Sequence, residues 1–476
     1  MIDARELLAP NNIYKFVAVV TLPLAVGLAV CGWLLMDNRF HLVAIGVFAP
    51  CVFCGLLGVI HKQMHWAEPV HLILLYMIVG TTGASVFLSF GEGARREFLL
   101  SGEVLSFFIR GAIWVLLGVV AFVIAYLATR MRAPVVRLVG YGKGSYRPAS
   151  MFILALCLAT ASLLATVKFV QMTGGISVDQ LSQKRWQEVQ GESGTVYGGG
   201  GYYRALAGLP VPLLLLHVAS LLHTRRRPSL VDISVLVLLF GSAIAMPFLS
   251  NSRSGVVFIV LEVAVVVVIV RGLNPRVIMP CALVMLFLFG VMSYYRSLRN
   301  NRIERGDSNP IMSLASSGNG LSVVGTSIIT GRVPEQMEYK WGFSYLTWVT
   351  TPIPRSYWPE KPNVGLGREI KAKLVASDAR EQSGRPPGFL GEGYINFGPI
   401  GLVFAAVGFG FLARMLWNSF QSEFSTNPLA VAMYVVLMPP LCQFVNSGFS
   451  EMVVRLLTEG ASLWIVTFPL FLSRSR

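Results

Sequence analysis

The chain has 476 residues, 54% of them hydrophobic and only 13% charged, with a mean hydropathy of +0.63. Soluble domains carry about 25% charged residues, so an ordinary soluble protein is excluded, and repeated apolar runs of about 18 or more residues identify a polytopic helical membrane protein. The formal charge of +15 does not mark a nucleic-acid binder, because many of the basic residues lie in short loops between apolar runs, where they set orientation.

In chain order, the first run starts near Tyr14, behind Asp3, Arg5 and Glu6, and continues past Leu35 without a small-residue cleavage site. It reads as a retained signal anchor. The apolar pattern predicts about twelve spans: 14–36, 40–60, 70–90, 109–129, 149–170, 205–223, 231–250, 255–271, 276–294, 396–416, 427–446 and 452–472. This divides the chain into a membrane bundle over 1–294, a large polar loop over 295–395 and a three-helix segment over 396–476. The six cysteines, Cys31, Cys51, Cys54, Cys157, Cys281 and Cys442, all fall inside apolar runs and imply no disulfide framework and no zinc site. Cys51 and Cys54 have CxxC spacing but read as small packing residues within a helix. The six histidines all lie outside the large loop and read as packing or interfacial groups.

Short basic connections set the orientation. Arg130, Arg132, Arg137, Lys143 and Arg147, then Arg225, Arg226 and Arg227, then Arg271 and Arg276, then Arg474 and Arg476 all fall on the side of the N-terminus, which is expected to be cytoplasmic. Residues 91–106, the loop 171–204 and the large loop are then expected outside. Long loops translocate regardless of charge, yet the large loop keeps thirteen Lys/Arg against nine Asp/Glu over 295–397. That excess asks for an anionic partner. The glycine run 198–201 lacks the context of a phosphate-cradling loop and reads as a connector.

A structureless loop of this length is uncommon unless it is functional. It opens on Arg296, Arg299, Arg302 and Arg305. Ser308-Asn309-Pro310 reads as a helix start, followed by an apolar, small-residue stretch suited to lying on the membrane or dipping into it. Trp341, Phe343, Tyr345 and Trp348 resemble an interfacial aromatic belt. Pro352, Pro354, Pro359 and Pro362 impose an extended path that holds Arg355 and Lys361. Over 366–380, Leu366, Ile370 and Leu374 recur every four residues, with Arg368, Lys371 and Lys373 opposite, as in an amphipathic surface helix. The loop closes on "GRPPGFLGEGYINFGPIG", which carries Arg385, Glu392, Tyr394 and Asn396.

Charges inside spans are costly and default to functional hypotheses. Arg455 and Glu459 are either an ion pair on one helix face or the floor of an outward-facing cavity. Glu262 reads as a structural carboxyl, and Arg253 is either interfacial or a further anion contact. No Walker motif, HExxH or metal-ligand cluster is present in the sequence. Arginines, carboxylates, aromatics and glycines suit attack by a hydroxyl with a diphosphate leaving group. Guanidinium groups grip phosphate bidentately and stabilise charge on the departing group, while a carboxylate orients or deprotonates the nucleophile. Glu392, between Gly391 and Gly393, is the candidate base; the alternative is that it pairs with an arginine to pin the loop.

With "PIPRSYWPEKP" followed by "GFLGEGYINFGPIG" entering a span, the chain resembles the O-antigen and oligosaccharide repeat-unit polymerase (Wzy) family. The layout is similar along the whole chain and the motif likeness covers 351–401. The resemblance implies a metal-independent, cofactor-free membrane glycosyltransferase of the GT-C type. Such an enzyme moves a growing glycan from undecaprenyl diphosphate onto a hydroxyl of a new lipid-linked repeat unit, with a chain-length regulator as a possible partner. Carried over by position, Arg355, Lys361, Glu392, Tyr394 and Asn396 fall in the matching segments, and the family's outer-loop arginines correspond to Arg296, Arg299 or Arg302. Together with the residue reading above, Glu392, Arg296, Arg299 and Arg355 would be catalytic. Arg253, Arg302, Lys361, Arg385, Tyr394, Asn396, Arg455 and Glu459 would bind substrate. Two rivals remain. An O-antigen ligase is expected to place a histidine in the large loop, where this chain has none; a flippase or transporter of lipid-linked sugars would show internal repeats and broken helices, and no repeat is visible.

Overall fold

The computed structural model describes residues 9–36, 38–60, 64–90, 104–132, 148–172, 200–224, 227–249, 252–272, 283, 287, 322–353, 357–358, 360–374 and 386–472. Among these residues the fold is entirely helical, with no strand. The helices are α1 (Pro10–Leu35), α2 (Asn38–Ile60), α3 (Pro69–Phe90), α4 (Val104–Ala128), α5 (Pro148–Met172), α6 (Gly200–Gly208), α7 (Pro210–Thr224), α8 (Leu230–Leu249), α9 (Arg253–Arg271), α10 (Ser322–Arg332), α11 (Gly367–Leu374), α12 (Gly388–Phe420), α13 (Pro428–Phe444) and α14 (Phe449–Leu472). A helix of eight residues in the tighter 3-10 form, Phe343–Thr350, lies between α10 and α11. Among the described residues eight helices are long and apolar enough to cross a membrane, as a multi-pass membrane protein requires. The expected span at 276–294 lies outside the described residues.

Burial sorts the helices into lipid-facing and central ones. In α1 only Pro10, Tyr14, Ala25 and Gly32 are buried, while Trp33, Phe16 and Val19 are about 70% exposed or more; an apolar helix with an apolar outer face belongs against lipid. By contrast α13 is buried on all sides and forms the axis of the bundle, with α3, α7, α9, α12 and α14 around it. At 17 residues α13 is a shorter apolar helix than the eight long ones.

The feature that positions everything else is a break in α12. Phe397 (φ −141°, ψ 24°) and Gly398 (φ 63°, ψ −149°) leave the helical region, and only glycine adopts the second conformation without strain. The halves 388–396 and 399–420 then fold back side by side. A Cβ built on Gly401 would sit 2.2 Å from the carbonyl oxygen of Gly393. The rings of Phe389 and Phe409 lie 5.0 Å apart, whereas a straight helix would separate those positions by about 30 Å. The turn coincides with the start of the expected span at 396; the half-helix before it was not foreseen.

The close approach makes a prediction. Gly401→Ala must push the halves apart, because its new methyl meets backbone rather than a flexible side chain; a loss of about 1–3 kcal/mol is expected from such overpacking. Thermal unfolding in detergent checks this, with Gly408→Ala as control, since nothing lies within 4 Å of a Cβ there.

Small residues also let α10 wedge between α3, α4 and α12. At Gly111 of α4 a Cβ would lie 1.9 Å from Ser327 Oγ of α10, and the entire stretch 325–330 is buried. Part of the polar stretch 295–395 is therefore built into the bundle.

Candidate functional site

The 388–396 half-helix carries "GFLGEGYIN", and its polar residues face the 3-10 segment and the head of α14. Glu392 is 2% exposed and Asn396 fully buried. Glu392 Oε1 accepts from Ser344 Oγ at 2.7 Å, and Oε2 accepts from the backbone N–H of Phe449, the first residue of α14. Asn396 Nδ2 donates to Ser344 Oγ at 2.7 Å and to the Glu392 carbonyl at 2.9 Å, while its Oδ1 accepts from the Gly342 N–H at 2.9 Å. Ser450 Oγ donates to the Ser344 carbonyl at 2.6 Å and accepts from the Trp348 N–H at 3.3 Å. Backbone bonds from Lys340 to Ile395 O and from Trp341 to Asn396 O continue the seam. Three elements distant in sequence thus meet on one buried carboxylate, which matters because such groups in a low-dielectric interior must be satisfied.

The expected pinning role of Glu392 was to be through an arginine. The partners are instead a hydroxyl and a backbone N–H, so the carboxylate locks the 3-10 segment to α12 and to the head of α14. Gly448 makes room for it: a Cβ there would lie 3.3 Å from Glu392 Oε2. Ser447, next to it, has a buried hydroxyl with no hydrogen-bond partner among the described residues. Glu451, one turn into α14, lies against Gly365 and within electrostatic reach of Glu392 and Arg455.

Lys361 has a structural task. Its Nζ donates to the carbonyls of Thr350, Thr351 and Ile353 at 3.3, 3.3 and 2.8 Å, which satisfies the free carbonyls at the end of the 3-10 segment. Tyr394 is 8% exposed, and its ring meets Trp114 of α4 edge-on at 6.3 Å, so it packs α12 on α4. Arg455 is exposed and within electrostatic reach of both Glu451 and Glu459 on its own helix. Glu262 Oε2 is buried without a hydrogen-bond partner among the described residues, and Glu459 acts on it electrostatically. Arg253 opens α9, with its side chain outside the described residues, as are Arg296, Arg299, Arg302, Arg355 and Arg385.

The amphipathic helix expected over 366–380 is described as α11 up to Leu374. Ile370 and Leu374 are fully buried as expected, but Lys371, placed on the outer face by the four-residue spacing, is only 8% exposed. Glu369 holds this helix to the loop. Burial raises its carboxyl pKa, but hydrogen bonds from Lys340 at 2.6 Å and Lys373 at 2.9 Å outweigh burial and leave it below the usual carboxylate range.

Ser344 and Ser450, which complete the network, were not singled out from the sequence. One signal was available for Ser344: Ser344, Thr347 and Thr350 recur every third residue, the period of a 3-10 helix. A second buried cluster, at the opposite end of α12, had no such signal. There Glu68 accepts from Arg414 Nη1 and from Tyr126 Oη, both at 2.7 Å, and from the His65 N–H at 3.1 Å.

Among the described residues no group of His, Cys, Asp or Glu is arranged to hold a metal ion. Compared with protein-family models, curated proteins and solved structures, the chain matches none.

Proposed function

We propose that this protein is a membrane glycosyltransferase that polymerises undecaprenyl-diphosphate-linked oligosaccharide repeat units into O-antigen or a related surface polysaccharide. In this reading it has about twelve spans in a GT-C-like arrangement in the bacterial inner membrane, its termini are cytoplasmic, and the site faces the periplasm. A chain-length regulator would be its protein partner. The observation that supports the reading is the docking of the loop on the α12 hairpin. Ser344, Glu392 and Asn396 join the 3-10 segment to the "GFLGEGYIN" half-helix, and Lys361, in "PIPRSYWPEKP", bonds back to the end of that same segment.

In the reaction, a hydroxyl of the incoming repeat unit attacks the anomeric carbon of the growing glycan. The new C–O bond forms as the bond to diphosphate breaks, and the hydroxyl proton passes to a carboxylate or to the departing diphosphate. Undecaprenyl diphosphate leaves. Glu392 and Asn396 orient the acceptor end, and Arg296, Arg299 and Arg355 grip the diphosphate.

One observation favours a second reading. Broken helices are a mark of transporters, and α12 is broken at Phe397–Gly398. Purified protein in vesicles supplied with lipid-linked repeat units separates the two. A polymerase yields a ladder of lengthened glycans; a transporter moves the unit across without lengthening it. In the same assay Arg296→Lys, Arg299→Lys and Arg355→Lys are each expected to lose about tenfold or more in rate, because lysine lacks the bidentate fork. Full polymerisation by all three Arg→Ala variants would exclude their phosphate role.

A further inference from the structure

The segment Phe343–Thr350 has its polarity inside out. In a 3-10 helix residues three apart eclipse one another and form one face. Phe343, Leu346 and Val349 make one such face, and they are 58%, 62% and 55% exposed. On the other side Ser344 and Thr347 are 2% and 5% exposed, each hydrogen-bonded within the protein. A segment surrounded by water would present the reverse pattern.

Its surroundings extend the apolar face. Trp341, Ile353, Tyr357 and Trp358 are exposed beside it in the chain. The Trp341 ring meets Phe397 edge-on at 6.3 Å, and from Phe397 exposed apolar residues run on down α12 at Ile400, Phe404 and Val407. That helix is long and apolar enough to cross a membrane, so its exposed face is a lipid-facing one. The segment is also not perched on top of the bundle. Ser344 bonds to Glu392, which lies five residues before the turn at Phe397 and therefore about 7.5 Å down the half-helix.

We propose that the Phe343, Leu346 and Val349 face is a membrane-seated surface, embedded in the acyl chains of the bilayer leaflet at this end of the bundle. Its partner is lipid hydrocarbon, continuous with the lipid belt around α12. Trp341, Tyr357 and Trp358, with amphipathic rings at its margins, sit at headgroup level. The polar network of Ser344, Asn396 and Glu392 is then shielded from bulk water on its outer side by lipid. This rests on the membrane fold alone, so its failure would leave the proposed reaction standing.

Photocrosslinking in the full chain tests it. Benzoylphenylalanine replaces Leu346 or Val349, and separately the exposed Glu360, in protein reconstituted into phosphatidylethanolamine–phosphatidylglycerol vesicles with radiolabelled acyl chains. On illumination, positions 346 and 349 are expected to give several-fold more labelled lipid adduct than position 360. Equal adduct at all three positions would overturn the proposal, since the face would then be in water. So would a cross-linked band of doubled mass at 346 and 349 without lipid adduct, which would make a second copy of the chain the occupant. Two independent positions on the face guard against one substitution that fails to fold.

Discussion

Glu392→Ala is expected to abolish polymer formation and to loosen the loop from the bundle. Both carboxylate oxygens are in use, one by the Ser344 hydroxyl and one by the Phe449 N–H. The truncation leaves the N–H without its acceptor at a site where Glu392 itself is 2% exposed. A buried donor left unsatisfied costs about 1–3 kcal/mol, and losing the second bond adds to this. The Ser344 hydroxyl also receives Asn396 Nδ2, so the disturbance spreads to the Gly342 turn that Asn396 holds. Protease sensitivity within 339–374, together with a lowered thermal midpoint in detergent, is the expected physical signature. Glu392→Gln divides the roles. It keeps an acceptor oxygen for the Phe449 N–H and offers an amide towards Ser344, whose hydroxyl can rotate. The loop should therefore stay docked and lipid-linked glycan should still bind, while polymerisation falls by about 100-fold or more, as when a general base is removed. Wild-type rates from the Gln variant would show that Glu392 only holds the loop in place.

Arg414→Met alone is expected to destabilise the protein by about 3–5 kcal/mol, because it leaves the Glu68 charge buried without its counter-ion. Glu68 is 3% exposed and Arg414 is 18% exposed, with 2.7 Å between them. Tyr126 adds both a hydrogen bond to the carboxylate and a ring face beneath the guanidinium at 5.1 Å. The cluster joins α4, α12 and the start of α3, and Tyr434 of α13 reaches the same corner by donating to the Ala67 carbonyl. Glu68→Gln with Arg414→Met should be far milder than Arg414→Met alone, since a neutral buried pair can match an ionic one. Thermal unfolding of the single and double variants in detergent measures the difference. Equal losses in both would show that the pair's charges are not what stabilises this corner.

The apolar spans were legible because crossing a membrane is a local property: some twenty consecutive apolar residues suffice to signal it, whatever their neighbours. Helices occupy the positions expected at 40–60, 149–170 and 231–250, among others, within a few residues. Glu392 and Asn396 could be named for the same reason, as polar residues in a glycine-rich stretch that runs into a span. Their company could not be named. Ser344 lies 48 residues from Glu392 and Ser450 lies 106 from Ser344, and neither hydroxyl has any local mark of a partner so far away. The upstream half of α12 also escaped, since nine residues are too few to register as a span, and Gly398-Pro399 reads as a fresh helix start. Lys361 is a further case: the sequence offered it as a substrate contact, and no local pattern announced that its ammonium group also bonds to three carbonyls of its own chain.

By itself, then, the sequence determined that this protein is an all-helical membrane bundle, because lipid leaves a backbone few other ways to satisfy its polar groups. It also determined which stretch is polar enough to differ from the rest. The tertiary structure alone decided that α12 folds back at Phe397, that a 3-10 segment turns its polar face inward onto Glu392, and that Glu68 meets Arg414 from 346 residues away. Those outcomes depend on which buried donors find which acceptors once the helices pack, and hydrogen-bond partners chosen across a bundle leave no periodic trace along the chain.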